Sequence, residues 1–312
     1  MSDTGATRFE ISQKRFTDAL TANVYKLGSV AAQLTPGPIA QASASAFGFS
    51  MAAAMRSKRS MVERHLQRVN PRLKGFALRA AVQQSFDSYA RYWVESFRLP
   101  SLSRRTVNAG FTIDGWEQVT EALDQGTGCI LALPHLGGWE WAGRWMTAQG
   151  YKMTVIVEPL ENKELFEWFR DLRAKLGMTV VPLGPEAGSA ILKALKNNEA
   201  VCLLCDRDIQ GGGIEVDFFG ETTTLPGGPA TLGLRTGAPV FPVGVYFTEA
   251  YNGHHCVVRP PLHTDRRSKL REDVARITQD LARELEFLIG RAPEQWHLFQ
   301  PNWPSDPGYR QT

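Results

Sequence analysis

Cys129-Ile-Leu-Ala-Leu-Pro-His-Leu-Gly-Gly-Trp-Glu140 is the stretch that carries the clearest structural signal in this chain. Its apolar run, residues 130–133, is short and bounded by glycine and proline, which predicts a buried strand. The two glycines after His135 allow a tight turn, and the residues from Trp139 onward predict a helix. We therefore expect His135 and Glu140 to flank a strand-to-helix turn, where open α/β sheets place their active sites.

A histidine and a carboxylate five positions apart across such a turn can lie side by side. We expect Glu140 to accept the N–H of one ring nitrogen of His135, which leaves the other nitrogen free to take a proton. No G-x-S-x-G motif is present and Cys129 falls inside the strand, so the nucleophile of such a site would be a hydroxyl of the substrate. The alternative is a helix-capping histidine beside a solvated glutamate.

Composition restricts the classes of protein to consider. The 312 residues are 43% hydrophobic, with eight Trp and sixteen Phe, enough for a large core. A net charge of +3 does not indicate nucleic-acid binding, and no His, Cys or carboxylate spacing predicts a metal site. The four cysteines lie in or beside apolar runs, which favours buried thiols in a reducing compartment over a redox pair. Neither a signal peptide nor a membrane-spanning helix is predicted.

Strands and helices alternate from residue 111 onward, which predicts a central, mostly parallel sheet flanked by helices. We predict a helical N-terminal region over residues 1–98 and an α/β core over residues 99–312, folded as one compact unit. The strand candidates are 111–115, 130–133, 154–158, 179–183, 201–205 and 240–246, with the run 255–258 as an antiparallel edge strand.

The N-terminal region changes character abruptly at residue 56. Residues 39–55 predict a helix without charge, suited to burial or to partial insertion in a lipid interface. Residues 56–79 then carry eight Lys or Arg against one acid, which favours contact with an anionic membrane. The alternative is a solvated basic helix face. The candidate membrane-surface residues are Arg56, Lys58, Arg59, Arg64 and Arg68.

Charged residues follow or lie near several other predicted strands. The carboxyl ends of neighbouring parallel strands meet at one edge of a sheet, so we expect these groups to converge on the crevice of His135. Surface ion pairs are the alternative. The residues are Glu158, Arg173, Asp206, Arg207 and Asp208.

Four motifs in order identify a family resemblance. They are His135-Leu-Gly-Gly-Trp-Glu140, Asp206-Arg-Asp208, Val216-Asp-Phe-Phe-Gly220 with Pro226-Gly-Gly-Pro-Ala230, and Glu294-Gln-Trp-His-Leu-Phe-Gln300. From about residue 56 to 303 the chain resembles the H-x4-D/E acyltransferases, with their glycerolipid acyltransferase-like fold. Within them it is similar to the branch of the lipid A late acyltransferases and the actinobacterial phosphatidylinositol mannoside acyltransferases.

The resemblance implies a peripheral enzyme of the cytoplasmic face of the cell membrane. Such an enzyme moves a long acyl chain, typically palmitoyl, from acyl-CoA to a sugar hydroxyl of a glycolipid, here favouring the mannose of a phosphatidylinositol mannoside, without a bound cofactor. His135 would be the general base and Glu140 its orienting partner, while Glu158 and Arg173 position the reactants. The oxyanion of such a reaction needs donors, which backbone N–H groups around Gly137 or a nearby arginine could supply. Gly137, Gly138 and the charged block Asp206, Arg207 and Asp208 are candidate substrate-binding residues.

The acyl chain of such a substrate needs a long apolar groove. Candidate lining residues are Phe166, Phe169, Phe218 and Phe219, with core packing as the alternative role for each. Three other functions stay open at this point: transfer to another glycolipid such as a lipid A precursor, binding of acyl lipids without catalysis, and hydrolysis of the thioester.

Overall fold

The computed structural model describes residues 8–309, with side chains from Thr17 onward. Eleven α-helices and nine strands form within this part of the chain. The helices are α1 (Arg8–Leu34), α2 (Gly37–Ala54), α3 (Arg56–Val69), α4 (Gly75–Arg98), α5 (Arg104–Ala109), α6 (Trp116–Asp124), α7 (Trp139–Ala148), α8 (Lys163–Lys175), α9 (Ala187–Lys196), α10 (Gly228–Thr236) and α11 (Leu270–Gly290). The strands are β1 (Phe111–Asp114), β2 (Cys129–Leu133), β3 (Met153–Val157), β4 (Met178–Pro182), β5 (Ala200–Leu204), β6 (Ile214–Phe218), β7 (Glu221–Leu225), β8 (Val240–Phe247) and β9 (His254–Val258).

Seven strands form one sheet in the order β1-β9-β8-β2-β5-β3-β4. Every neighbouring pair is parallel except β8 and β9, which are antiparallel. The predicted mostly parallel α/β sheet is therefore confirmed. The predicted edge position of β9 is wrong, because β1 pairs with its outer side through the register Phe111 to His254.

The central strand β2 is buried along its whole length. Ile130 and Ala132 point into the core beneath α9 and α11, whereas Leu131 and Leu133 point into the core beneath α6 and α7. A strand covered on both faces has no polar side to alternate with, which is why its sequence is a continuous apolar run. This position places the turn after β2 in the middle of the sheet edge.

The N-terminal helices pack against one another and against the rest of the chain. Ala40, Ala44, Gly48 and Ala52 form a small-residue face of α2 that lies on α4, and a Cβ at Gly48 would come within 2.4 Å of Oδ1 of Asp87. α2 is therefore buried on one face, which confirms burial, one of the two roles predicted for this uncharged helix. The boundary proposed at residue 98 stays a prediction.

Candidate active site

The turn that carries His135 connects β2 to α7. Gly137 has a φ of 56°, in the left-handed region that favours glycine. A Cβ at Gly137 would lie 2.2 Å from the carbonyl oxygen of Val245, and a Cβ at Gly138 would lie 2.6 Å from Cδ2 of His254. The glycines thus let the turn pack closely on β8 and β9. Neither lines the cavity beside His135, so their predicted contact with substrate finds no support in this position.

The carboxylate that orients His135 comes from the neighbouring strand. Nδ1 of His135 donates to Oδ1 of Asp206 at 2.6 Å, and the backbone N–H of His135 donates to Oδ2 at 3.0 Å. Leu133 pairs with Leu204 in the parallel register of β2 and β5, so residues two positions beyond each strand come side by side. The predicted hydrogen bond between His135 and Glu140 is therefore wrong, and Asp206, predicted to contact substrate, occupies that place.

Asp206 is fully buried and accepts a further hydrogen bond. Nε1 of Trp296 donates to its Oδ2 at 2.7 Å, while Nδ2 of Asn302 donates to its backbone carbonyl at 3.1 Å. Burial raises the pKa of this carboxyl group, but the charge of His135 and the hydrogen bonds from His135 and Trp296 outweigh burial and lower the pKa to about 2. Asp206 is thus ionised at neutral pH and can stabilise an imidazolium at His135.

Glu140 is held by an arginine of α8. Nε and Nη2 of Arg173 donate to its Oε1 at 2.9 and 2.5 Å, and the hydroxyl of Tyr92 donates to the same oxygen at 3.3 Å. Burial opposes the charge on Arg173, yet the carboxylate of Glu140 prevails and raises the arginine's pKa. Glu140 and Arg173 therefore form a largely buried ion pair between α7 and α8, and Arg173 borders the cavity that His135 lines.

His135 lines a cavity of about 560 Å³ that opens at the carboxyl ends of the parallel strands. The ring has its Nδ1 bound to Asp206, and Nε2 has no hydrogen-bond partner among residues 17–309. Aromatic and aliphatic side chains form much of the cavity wall, so the site combines an imidazole with a largely apolar cavity. The aromatic lining residues are Tyr89, Tyr92, Trp93, Trp139, Phe166 and Phe169.

The other charged residues predicted for the site lie at the same cavity. Nη2 of Arg207 donates to Oε2 of Glu158 at 2.6 Å, and both side chains line the cavity. Asp208 also lines it, but its carboxylate accepts the backbone N–H groups of Gly211 and Gly213 at 3.0 and 2.8 Å. Arg207 and Glu158 are therefore placed to meet a polar substrate group, whereas Asp208 closes the glycine-rich loop beside it.

A second, apolar cavity of about 80 Å³ lies on the α7 side of the sheet. Glu140, Arg173 and Trp139 border it, and the last two also border the larger cavity. Its wall consists mainly of aliphatic, aromatic and methionine side chains. The methionine side chains change conformation readily and can adapt to a ligand. An apolar chamber therefore begins next to the His135 site, separated from it by the Glu140–Arg173 pair and Trp139.

The four phenylalanines predicted to line an acyl groove fall in two groups. Phe166 and Phe169 line the larger cavity. Phe218, the last residue of β6, and Phe219, in the turn after it, line neither cavity, because they pack against Trp303 and Trp296. Phe218 is completely buried and stacks on Trp303 at 5.6 Å between ring centroids. The prediction of a groove role for these two is wrong, and core packing, its stated alternative, holds.

Several residues of the site had no predicted role. Ser88, Tyr89, Tyr92 and Trp93 come from one face of α4, and the helix thereby closes the cavity from the N-terminal side. Tyr92 and Trp93 follow Tyr89 by three and four positions, and this spacing was the available signal, because an aromatic stripe on a helix indicates a buried face. Tyr25 of α1 packs in turn on Trp93 and Phe169, so α1 borders the site as well.

The C-terminal segment Gln295–His297 holds the catalytic turn in place. The backbone N–H of Gly137 donates to the carbonyl of Gln295 at 2.9 Å, and the N–H of His297 donates to the carbonyl of His135 at 2.7 Å. The side-chain amide of Gln295 exchanges two hydrogen bonds with the backbone of Phe247 in β8. Residues 295–297, which belong to the last of the four family motifs, are thus part of the site.

The basic residues predicted to meet a membrane separate into two groups. Arg64 and Arg68, one turn apart on α3, ion-pair with the buried carboxylate of Asp306. Arg68 also pairs with Glu221 at 2.8 Å and lies 4.0 Å over the ring of Trp303. These two arginines fasten the C-terminal segment. The side chain of Arg68 is only 11% exposed and has little surface left for a membrane, whereas that of Arg64 is 42% exposed and its membrane contact stays a prediction. Arg56 is exposed, and Lys58 and Arg59 are at least partly exposed.

Large apolar side chains are exposed on the first two helices. On α1 they recur every three or four positions, which places them on one face. This exposed apolar surface consists of Leu20, Val24, Leu27, Val30 and Leu34 of α1 and Ile39, Phe47 and Phe49 of α2.

Between residues 8 and 309 no helix is both long and apolar enough to cross a membrane.

No group of three or more potential metal ligands occurs in the part of the chain that the structure describes. All four cysteines are unpaired. Burial raises the pKa of Cys202, the first residue of the C-x-x-C, to about 12, so its thiol is protonated and unreactive at neutral pH.

Comparison with known proteins agrees with this geometry. Residues 10–305 match the family described as bacterial lipid A biosynthesis acyltransferase. A phosphatidylinositol mannoside acyltransferase of Mycolicibacterium smegmatis is 38% identical over 228 residues, covering 72% of this chain and 73% of the relative. A protein of the same name from Mycobacterium tuberculosis strain H37Rv is 39% identical over 227 residues, covering 71% of this chain and 70% of the relative. The chain therefore belongs to the bacterial lipid A biosynthesis acyltransferase family and is an O-acyltransferase.

Proposed function

We propose that this enzyme transfers a long acyl chain, palmitoyl in the first instance, from acyl-CoA to a mannose hydroxyl of a phosphatidylinositol mannoside. The observation that carries the proposal is the His135–Asp206 pair, which presents a free Nε2 to a cavity of about 560 Å³. The acceptor follows from the names of two relatives that share more than a third of their aligned residues with this chain.

The reaction proceeds by general base catalysis at His135. The mannose hydroxyl attacks the thioester carbonyl carbon while its proton passes to Nε2, so that a C–O bond forms and the carbonyl π electrons move to oxygen. The ionised carboxylate of Asp206 holds Nδ1–H and stabilises the imidazolium. Collapse of the tetrahedral intermediate breaks the C–S bond, and the CoA thiolate takes the proton back from His135. Neither metal nor bound cofactor takes part in this scheme.

The two cavities suit different parts of the substrates. The apolar chamber beside Trp139 and Arg173 accepts the acyl chain once its methionine side chains move, because it offers almost no polar surface. The larger cavity, with Arg207 and Glu158 at its wall, accepts the polar groups of CoA and the sugar. The Glu140–Arg173 pair, which lies between the two cavities, positions the thioester rather than the imidazole.

The enzyme works at the cytoplasmic face of the cell membrane as a peripheral protein. Both its proposed acceptor and its acyl chain partition into lipid, so access requires a membrane surface. The exposed apolar surface of α1 and α2 enters the interface, and the neighbouring cations Arg56, Lys58 and Arg59 attract anionic headgroups.

The experiment is thiol release from palmitoyl-CoA by the purified protein, with a phosphatidylinositol mannoside, with a lipid A precursor and without acceptor, alongside His135→Ala. Release that depends on the mannoside and falls ~10²–10⁴-fold in His135→Ala is the expected result. Release that prefers the lipid A precursor changes the acceptor. Release that is independent of acceptor indicates a thioesterase, and binding of palmitoyl-CoA without release indicates a lipid-binding protein.

A further inference from the structure

A second histidine lies beside His135 and has no assigned role. His297 is 94% buried, its backbone is bonded to the carbonyl of His135, and its ring lines the same cavity. The rings of both histidines flank Trp139, with centroid separations of 5.6 and 5.8 Å. His297 is therefore close enough to share a substrate with the general base.

One ring nitrogen of His297 is bound and the other is not. Nε2 lies 2.8 Å from the hydroxyl of Ser88, whereas Nδ1 is buried and has no hydrogen-bond partner among the described residues. Buried polar atoms without a partner are uncommon and costly, and one at a catalytic site calls for an explanation. A ligand that brings its own hydrogen-bonding atom would supply the missing partner.

The hydroxyl of Ser88 determines which nitrogen carries the proton. If this hydroxyl donates to Nε2, both groups are satisfied and the proton of the neutral ring sits on Nδ1. If Nε2 carried the proton, the Ser88 hydroxyl hydrogen would have no acceptor among the described residues. Burial, together with the charge of His135, lowers the pKa of His297 to about 3, so the ring is neutral under all working conditions. Nδ1–H is thus a neutral donor that no titration removes.

We propose that His297 is a further catalytic residue, whose Nδ1–H donates to the thioester carbonyl oxygen as that oxygen becomes an oxyanion. The proposal rests on the acyl transfer proposed above, in which this oxygen is the atom that gains negative charge. Attack of the hydroxyl moves the carbonyl π electrons to oxygen while the proton goes to Nε2 of His135. A fixed donor in a site poor in water stabilises that charge without having to reorganise. Ser88 then acts as a positioning residue, since it holds the tautomer.

Two substitutions of His297 separate this role from packing. The amide nitrogen of asparagine lies near the position of Nδ1, whereas that of glutamine lies near the position of Nε2. His297→Gln keeps the contact with Ser88 and loses the donor, so its kcat falls ~10²–10³-fold with little change in KM. His297→Asn loses the contact with Ser88 but keeps the donor, so its kcat falls less. A purely structural role predicts the opposite order, because glutamine preserves more volume and the bond to Ser88.

Three controls make the comparison interpretable. The Tm of each variant and its Kd for a thioether analogue of palmitoyl-CoA, which has no carbonyl, should match the wild type. The acid limb of the pH profile of kcat should stay where it is in His297→Gln, because His135 remains the base. If the His297 variants do not fold, Ser88→Ala serves instead. Without the Ser88 hydroxyl the proton of His297 is no longer held on Nδ1, so kcat should fall while Tm stays unchanged.

Each remaining outcome counts against the donor role. A glutamine variant as active as the asparagine variant would overturn it, as would an unchanged kcat in Ser88→Ala. An acid limb that disappears in His297→Gln would make His297 a base instead. Wild-type protein that releases no thiol from palmitoyl-CoA is a failure of the proposed function itself, and it is recognised before any variant is measured.

Discussion

At the scale of single residues, the pairing of His135 with Asp206 rather than Glu140 changes which carboxylate matters for the base. Asp206 accepts both the ring N–H and the backbone N–H of His135, whereas Glu140 neutralises Arg173. Removing Asp206 therefore acts on the imidazole, and removing Glu140 acts on a buried arginine. The two carboxylates of the site have separable functions.

Asp206→Asn tests the first of these functions. Asparagine retains the volume, but its uncharged amide no longer stabilises the imidazolium and can favour the wrong tautomer of His135. We expect kcat for thiol release to fall ~10²–10⁴-fold. Asp124→Asn, at an exposed carboxylate of α6, is the matched control and should retain wild-type kcat. Wild-type turnover in Asp206→Asn would show that His135 needs no orienting carboxylate.

The depressed pKa of Asp206 also predicts a pH dependence of stability. The pKa is about 2 in the folded protein and ~3.9 in an unfolded chain, so folding favours the ionised form. This contribution, about 2 kcal/mol, is present above the unfolded pKa and is lost as the pH falls toward the folded value. In urea unfolding from pH 6 to pH 3, the difference in unfolding free energy between wild type and Asp206→Asn should shrink. A difference that stays constant over that range contradicts the prediction.

At the scale of elements, ion pairs and a ring contact connect α3 to the C-terminal segment, and we call this connection the joint. The basic run in the sequence did not indicate it. Arg68 has a side chain that is only 11% exposed and bridges Glu221, Asp306 and the ring of Trp303. His65 of the same helix contacts Asp306 as well, and these partners hold the pKa of Asp306 well below its usual value despite burial. The joint keeps the segment that contains Trp296 and His297 against the catalytic turn.

Arg68→Met should therefore destabilise the protein, whereas Arg56→Met should not. Loss of Arg68 leaves Glu221 without its cation and takes one of the cations from the buried Asp306, which keeps Arg64 and the contact with His65. We expect the unfolding free energy to fall by about 2–4 kcal/mol. Arg56 is exposed and forms no ion pair with any described residue, so its replacement should change the unfolding free energy by less than about 0.5 kcal/mol. Denaturant titration measures both. Equal stability of the two variants would mean that the joint does not stabilise the fold.

At the scale of the whole molecule, the exposed apolar face of α1 borders the site through Tyr25 and the aromatic residues it contacts. Leu27 and Leu34 are 70% and 80% exposed. Contiguous exposed apolar surface of this kind indicates an interaction site, and a lipid interface would remove these side chains from water. A membrane held at this face would lie close to the aromatic residues that line the cavity of His135.

Leu27→Glu with Leu34→Glu tests membrane attachment. Each leucine contributes about 1.5–3 kcal/mol if it is fully buried in lipid, so affinity for anionic vesicles should fall at least tenfold. Tm should not change, because neither side chain is buried in the protein. Leu270→Glu, at an exposed leucine of α11, is the control and should bind vesicles like the wild type. Unchanged binding in the double variant would remove α1 from the membrane contact.

The local pattern of the sequence was sufficient for the central sheet and its helices, but not for the inner position of β9 or for the separate sheet of β6 and β7. The apolar run 130–133 predicted a buried strand because both faces of β2 are covered, and the alternation of elements after residue 111 predicted the parallel sheet. His135 could also be found this way, since a histidine directly after a central strand must lie at the sheet edge. These features depend on neighbours along the chain, which the sequence displays.

Only the tertiary structure decided the partners of His135. β5 lies next to β2, although β3 and β4 intervene in sequence, and this strand order brings Asp206 rather than Glu140 to Nδ1. Ser88 of α4 and His297 of the C-terminal segment come within 2.8 Å of each other although 209 positions separate them in the sequence. A hydrogen bond requires two atoms within about 3 Å, and for residues so distant in sequence that separation is set by how the helices and strands pack.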